Sequence, residues 1–254
     1  TQSANDTYFK NVSQLKIEPN KFFLKFFIKE SPISNYYDVW KKIQSKREIA
    51  HKKFIKKIQF SDLLAYSLIV DKIPKYTQIQ AANSSTIRYL QLFKMRYNNV
   101  MYCNRGTSGI DGSTSTAIGA SVVSSDPVLL ITGDLSFFYD VNGLWNNYVS
   151  PNFRIIIINN GGGGIFRILP GFQNTKLFTK YIETSQNLKA KQIAKLHGFI
   201  YQNRKTKLGL KLALKSFFKT SSKPKILEIS TNSEISSDTL KSYFKFLSKS
   251  DSDR

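Results

Sequence analysis

The chain has 254 residues, 41% of them hydrophobic, enough for one large domain or for one domain and part of another. Its one cysteine, Cys103, excludes an internal disulfide and fits a reducing compartment, and no apolar stretch reaches the length of a membrane span. The net charge of +21 suggests nucleic acid or an anionic surface, but its distribution argues against both.

Residues 1–75 carry 15 basic and 7 acidic side chains, and residues 176–254 carry 17 and 6, whereas residues 76–175 carry only 6 and 4. The excess is lysine, 30 against 8 arginines, and reads as a solvated background. Five arginines (Arg88, Arg96, Arg105, Arg154 and Arg167) fall in the middle hundred. There a fixed guanidinium fork suits carboxylates and phosphates. The polar start at Thr1 shows no signal-peptide order. A start without Met is read as a fragment or a processed product.

In chain order, Lys21–Lys29 reads as a β-like run and residues 36–58 as a basic helix. His51 in that helix is expected to be a solvated surface residue. Residues 1–58 are read as the tail of a preceding domain plus a linker, and 59–254 as the main domain. Ser61 can cap a helix running to about Ile73, with Leu63, Leu64, Tyr66, Ile69 and Val70 facing a core and Pro74 stopping it. Tyr76–Gln80 is a first strand delivering Ala82-Asn83-Ser84 to its end. A helix from Ser84 to Phe93 then places Ser84 at an N-terminus, where free N–H groups attract anions, and Arg88 one turn on.

Val100–Cys103 is a short strand. It runs into Asn104-Arg105-Gly106-Thr107-Ser108-Gly109-Ile110-Asp111-Gly112, a glycine-rich loop that brings backbone near a ligand, and then into a small-residue helix, Ser113–Val122.

Val128–Thr132 is an apolar run ending at Gly133-Asp134, and Arg154–Ile158 is another, ending at Asn159-Asn160 and four glycines. With a helix over Ser136–Tyr148 between them, they form a βαβ unit with both strand ends on one sheet edge. Open α/β sheets bind ligands at that edge. Singly, Gly-Asp and Asn-Asn are ordinary turn formers. One βαβ unit apart and followed by a glycine run, they read as two oxygen donors for a hard cation such as Mg²⁺. The glycines would bring backbone N–H groups to an anion. No dinucleotide or P-loop glycine pattern is present.

After the glycines, Ile165-Phe166 and Leu169 read as an apolar staple. Leu188–Leu196 is a helix ended by His197-Gly198, so His197 is given no catalytic role. The strand Phe199–Gln202, the helix Thr206–Phe218, the strand Lys225–Ser230 and a last helix near Ser236–Leu247 complete the alternation. The fold class is α/β: a doubly wound, mainly parallel sheet with helices on both faces.

Gly133-Asp134, 25 intervening residues and then Asn160 resembles the metal–diphosphate motif of thiamine-diphosphate enzymes. The resemblance implies Mg²⁺ ligands Asp134, Asn160 and the carbonyl of Gly162. It also implies cofactor contacts from Asn83, Ser84, Ile110, Gly133, Leu135, Gly163 and Ile165. Leu135 stands where most of the superfamily has a third motif glycine.

The stretches GDLSFFYDVNGL and NNGGGGIFRILP, the N-S-x-x-x-R of Asn83, Ser84 and Arg88, and the Asn104–Gly112 loop resemble one branch. This is the 2-succinyl-5-enolpyruvyl-6-hydroxy-3-cyclohexene-1-carboxylate synthases of menaquinone and phylloquinone biosynthesis. The branch implies decarboxylation of 2-oxoglutarate and addition of the resulting carbanion to isochorismate. Ser84, Arg88 and Arg105 would bind the acidic substrates, Ile110 would prop the bent cofactor, and Ile165, Phe166 and Leu169 would form an apolar wall.

In the family an N-terminal domain carries the acid that faces the pyrimidine ring. None of the six glutamates here sits at a glycine-bounded strand end, so this chain is expected to hold only the diphosphate half of the site. The same resemblance implies a homo-oligomer in the cytoplasm or an organellar stroma, with no nucleic-acid partner. Two alternatives stay open: another thiamine-diphosphate decarboxylase or lyase, and a non-enzymatic basic binding protein.

Overall fold

A computed structural model of the chain describes residues 6, 9–10, 13–26, 34–169, 171 and 175–249. Its centre is six strands: β1 (Gln78–Ala81), β2 (Met101–Cys103), β3 (Val128–Gly133), β4 (Arg154–Asn159), β5 (Ile200–Arg204) and β6 (Lys225–Ser230). They pair in the order β2-β1-β3-β4-β6-β5, with every neighbouring pair parallel. The central strands β3 and β4 are buried along almost their whole length, as their unbroken apolar runs require when helices cover both faces.

Side-chain alternation along the strands builds two cores. One face carries Ile79, Ala81, Leu129, Ile131, Ile156, Ile158, Leu227 and Ile229. They pack with residues of α3 (Asp62–Val70), α4 (Ser85–Leu90), α8 (Lys207–Phe217) and α9 (Ser233–Lys249). The other face carries Val128, Leu130, Ile155, Ile157 and Ile226. They pack with residues of α5 (Ser113–Val123), α6 (Asp134–Tyr139) and α7 (Lys191–Leu196). This is the doubly wound arrangement expected from the sequence.

The chain divides into two compact units, residues 1–44 and 45–254, with the division inside α2 (Tyr36–Lys57). In the first unit, α1 (Pro19–Phe26) replaces the expected β-like run. Phe22 and Phe26 are one helical turn apart and pair at 4.7 Å. The two Phe pairs, separated by Leu24 and Lys25, suit a strand's composition but also the i, i+4 spacing of a helix, and here the i, i+4 pairing prevails. Residues 27–29 of that expectation lie outside the described residues.

The helix expected over Ser136–Tyr148 is also corrected. It starts at Asp134, ends at Tyr139 and gives way to a 3₁₀ turn, Val141–Leu144. Asp140 breaks it, because its carboxylate accepts from Ser115 N at 2.7 Å and Ser115 Oγ at 2.5 Å. Gly143 lets the turn cross α5 closely: a Cβ there would lie 2.7 Å from Ser115 Oγ. The helix expected from Leu188 begins only at Lys191. A single π turn, Phe178–Ile182, precedes it and was not anticipated.

Candidate functional site

β1 and β3 are neighbours, yet the chain leaves them in opposite directions. From β1 it passes through α4 to β2, and from β3 through α6 to β4 on the other side. Such a divergence opens a crevice at the carboxyl ends of the two strands. It lies between Ala82-Asn83-Ser84 and Gly133-Asp134, so the topology alone brings two of the sequence motifs together.

Asp134 is the first residue of α6 and is 2% exposed. Its Oδ1 accepts from Leu135 N at 2.9 Å, and its Oδ2 from Gly161 N at 3.0 Å and Gln186 Nε2 at 2.6 Å. Burial pushes its carboxyl up to about 6, against the opposing pull of these three donors. The Gly161 bond joins the end of β3 to the end of β4, where Gly133 pairs with Ile158. The strand ends that carry Asp134 and Asn160 therefore lie side by side.

Asn160 donates through Nδ2 to Asp62 Oδ2 at 2.9 Å, while its Oδ1 is buried and has no hydrogen-bond partner. A buried acceptor without a donor is costly, and a cation beside Asp134 would satisfy it. Among the described residues no three His, Cys, Asp or Glu side chains cluster as a metal site. One carboxylate and one amide oxygen, with the Gly162 carbonyl that the resemblance adds, make a sparse oxygen set. It suits Mg²⁺ that keeps further ligands from water and phosphate. The residues fit the metal–diphosphate group implied by the resemblance.

The glycine run serves a different end from the one expected. Gly161 N donates to Asp134, Gly163 N to Glu183 O at 2.6 Å and Gly164 N to Gly162 O at 3.0 Å. Three of the four amides are thus committed inside the protein. What the run supplies is closeness. Gly162 sits at φ 151°, and a Cβ there would be 2.8 Å from Glu183 O. Gly161 O accepts from Gln186 N at 2.9 Å, so residues 183–186 fold down onto the glycines.

On the other side of the crevice, Asn83 is turned to the loop after β2. Its Nδ2 donates to the carbonyls of Asn104 and, at 2.6 Å, Gly109, while its Oδ1 accepts from Arg105 at 3.3 Å. Ser84 has φ 69°, a left-handed conformation that costs energy for a residue with a Cβ. Its carbonyl accepts from Arg88 at 2.8 Å. Arg88 and Arg105 are both exposed at this edge. Ile110 is half-buried, and its carbonyl accepts from Ser136 Oγ at 2.5 Å, which pins its loop over α6. Ile165 and Phe166 lie in a 3₁₀ turn, Gly164–Arg167, with the exposed Leu169 just beyond it.

Several contacts of this neighbourhood were not anticipated from sequence. Gln186 touches Asp134, and Asp62 touches Asn160. Glu228, fully buried, accepts from Asn159 Nδ2 at 2.5 Å, Ala190 N at 3.2 Å and the Tyr201 hydroxyl. Arg167 pairs through two nitrogens with Glu183, which is 2% exposed. No local spacing announces these contacts, although an acid inside an apolar strand, as in Ile-Leu-Glu-Ile at 226–229, is a signal for a buried network.

The two histidines lie outside the site. His197 caps α7 as expected. His51 is not simply solvated: its Nδ1 is 2.8 Å from the Tyr243 hydroxyl, its ring meets Phe93 edge-on, and burial lowers its basicity.

Comparison with known proteins agrees with this geometry. The family described as thiamine pyrophosphate enzyme, C-terminal TPP binding domain, matches residues 82–229. A 2-succinyl-5-enolpyruvyl-6-hydroxy-3-cyclohexene-1-carboxylate synthase of Christiangramia forsetii is 54% identical over 207 residues, covering 82% of this chain and 36% of that protein. The synthase of the same name from Flavobacterium psychrophilum is 45% identical over 245 residues, covering 96% and 44%. A solved thiamine diphosphate-dependent 4-hydroxybenzoylformate decarboxylase of Rhodococcus jostii shares the fold, with a TM-score of 0.51 and 19% identity over 68% of this chain and 33% of that one. The chain spans less than half the length of the curated relatives it matches. From residue 82 to residue 229, the span that holds Asn83, Asp134 and Asn160, this chain belongs to the C-terminal cofactor-binding domains of thiamine pyrophosphate enzymes.

Proposed function

We propose that this chain is the diphosphate-binding part of a 2-succinyl-5-enolpyruvyl-6-hydroxy-3-cyclohexene-1-carboxylate synthase. Such an enzyme decarboxylates 2-oxoglutarate and joins the remaining fragment to isochorismate. The observation that carries the proposal is the buried, partnerless Asn160 Oδ1 beside the Asp134 carboxylate, in a chain 54% identical to a protein of that name. When bound, thiamine diphosphate supplies the electron sink for carbon–carbon bond cleavage and formation.

The chain's own residues hold and orient. Asp134, Asn160 and the Gly162 carbonyl would hold Mg²⁺ against the diphosphate. Ile110, pinned by Ser136, would support the cofactor's shape. Arg88 and Arg105 would orient substrate carboxylates by charge-assisted hydrogen bonds. Ile165, Phe166 and Leu169 would exclude water from the reacting centre.

The pyrimidine half of the site is assigned to a domain outside these 254 residues. In support, Glu183 is paired with Arg167, Glu228 holds three donors inside the fold, and Glu234 is exposed near Arg167. Residues 1–58 are assigned to the tail of a preceding domain plus a linker. An oligomer is supported by the exposed apolar residues Val122, Val123, Tyr139, Trp145 and Tyr148. No helix among the described residues is long and apolar enough to cross a membrane, and a cytoplasmic site is proposed.

The test combines the chain with the N-terminal half of the Christiangramia forsetii relative and follows product formed from isochorismate and 2-oxoglutarate with Mg²⁺ and thiamine diphosphate. Activity is expected, and Arg105→Ala should lower kcat/KM by roughly ten- to a hundredfold, from a charged hydrogen bond of about 1.5–3 kcal/mol. Arg105→Lys should recover little, because the fork is lost. Full activity in Arg105→Ala would overturn the substrate assignment. Turnover of other 2-oxo acids without isochorismate would favour a different decarboxylase or lyase.

A further inference from the structure

Asn160 presents two ends of nearly equal size, an oxygen that can ligate a cation and an NH₂ that cannot. A half-turn of the side-chain amide exchanges them. A site that relies on the oxygen must therefore fix the amide from behind. Asp62, 98 residues earlier in sequence, stands there: its Oδ2 accepts Asn160 Nδ2 at 2.9 Å. We propose that Asp62 is the positioning residue that holds the Asn160 amide with its oxygen on the Asp134 side, where the cation would bind; the proposal rests on the metal–diphosphate reading of that site.

The surroundings of Asp62 fix it in turn. It is 2% exposed and is the first residue of α3, where the helix N-terminus favours a carboxylate. Its Oδ1 accepts from Thr231 Oγ1 at 2.5 Å, and its backbone N donates to Ser236 Oγ at 3.0 Å. The segment after β6 and the first turn of α9 thus hold the acid in place. In this arrangement Asp62 Oδ2 is the acceptor, and a reversed Asn160 amide would set oxygen against oxygen whenever Asp62 is ionised. On another side the amide is bounded by Gly164: a Cβ there would lie 2.9 Å from Asn160 Nδ2. Glycine at 164 leaves room for the NH₂ in the observed orientation. The Oδ1 left over has no donor, as a cation ligand requires.

The experiment uses the 254-residue chain. In ¹⁵N-labelled protein the Asn160 side-chain NH₂, assigned by its loss in Asn160→Ser, should exchange slowly with solvent. In Asp62→Ala, shown to be folded by circular dichroism, it should exchange fast. In calorimetry with Mg²⁺ titrated at saturating thiamine diphosphate, Asp62→Ala should raise the half-saturating Mg²⁺ concentration about tenfold or more, the scale of one charge-assisted bond. Asp62→Asn keeps an acceptor and should recover part of that loss. It is also the variant to use should Asp62→Ala fail to fold, and it should then show an intermediate Mg²⁺ shift.

An unchanged Asn160 NH₂ signal in folded Asp62→Ala, or Mg²⁺ half-saturation within twofold of the parent in every folded variant, would overturn the proposal. An amide that is fixed in the parent and freed in Asp62→Ala, in a chain that binds no cofactor with Mg²⁺ even when the N-terminal half of the relative is supplied, would uphold the positioning and overturn the functional reading.

Discussion

Gln186 Nε2 donates to Asp134 Oδ2 at 2.6 Å across 52 residues of sequence. The contact joins a loop with no motif of its own to the best-marked acid in the chain. It helps keep the buried Asp134 ionised, as a carboxylate must be in the Mg²⁺-holding role proposed for it. Gln186→Ala should therefore raise the pH at which Mg²⁺-dependent cofactor binding is lost. Calorimetry across pH 5–8, on parent and variant, reads this directly. An unchanged pH midpoint would mean that the contact is only structural.

Asp134 itself makes a prediction about the cofactor-free chain. Its carboxyl rises from 3.8 to about 6 on folding, chiefly through burial, which corresponds to about 3 kcal/mol. The folded state then binds the proton more tightly than the unfolded state. Between roughly pH 4 and 6 stability falls as pH rises, and the fold carries this cost at neutral pH. Asp134→Ala should flatten that part of a urea-denaturation profile. With Mg²⁺ present, protons and cation compete, so cofactor binding should weaken below about pH 6.

The glycine run predicts an asymmetric pair of substitutions. Gly162→Ala meets both a φ of 151° and the Glu183 carbonyl at 2.8 Å, and should cost about 1–3 kcal/mol or more in urea denaturation. Gly119→Ala, inside α5 with no atom within 4 Å of the added Cβ, should stabilise by about 0.5–1 kcal/mol. Equal effects would refute the close-approach role given to Gly162.

Glu228 tests whether a buried acid near the site is catalytic or architectural. It holds Asn159, Ala190 and Tyr201 together, so Glu228→Ala should cost about 2–5 kcal/mol through its orphaned donors. Glu228→Gln should cost less and leave Mg²⁺-dependent cofactor binding near the parental level. Loss of that binding in a stable Glu228→Gln protein would show a direct role.

What could be read from sequence was what repeats locally. β3 and β4 announce themselves as apolar runs that stop at Gly133 and Asn159, and their ends carry Asp134 and Asn160. The glycines marked the loop after β2, and only the resemblance singled out Arg105 and Ile110 within it. The contacts of Asp62, Gln186 and Glu228 were not legible, because each residue reaches the site from an element distant in sequence, by a contact that only the sheet order creates. The helix over Ser136–Tyr148 failed for the same reason: Asp140 gives its carboxylate to Ser115 instead of continuing the helix. The run from Lys21 suited a strand's composition and a helix's i, i+4 spacing alike, so propensity alone chose the wrong state.

The most direct test of the account is calorimetry of the 254-residue chain with thiamine diphosphate, with and without Mg²⁺. Binding that requires Mg²⁺, is not reproduced by thiamine lacking the diphosphate and disappears in Asp134→Ala is the predicted result. Binding that ignores Mg²⁺, or that survives undiminished in Asp134→Ala, would contradict the assignment of this crevice as a metal–diphosphate site.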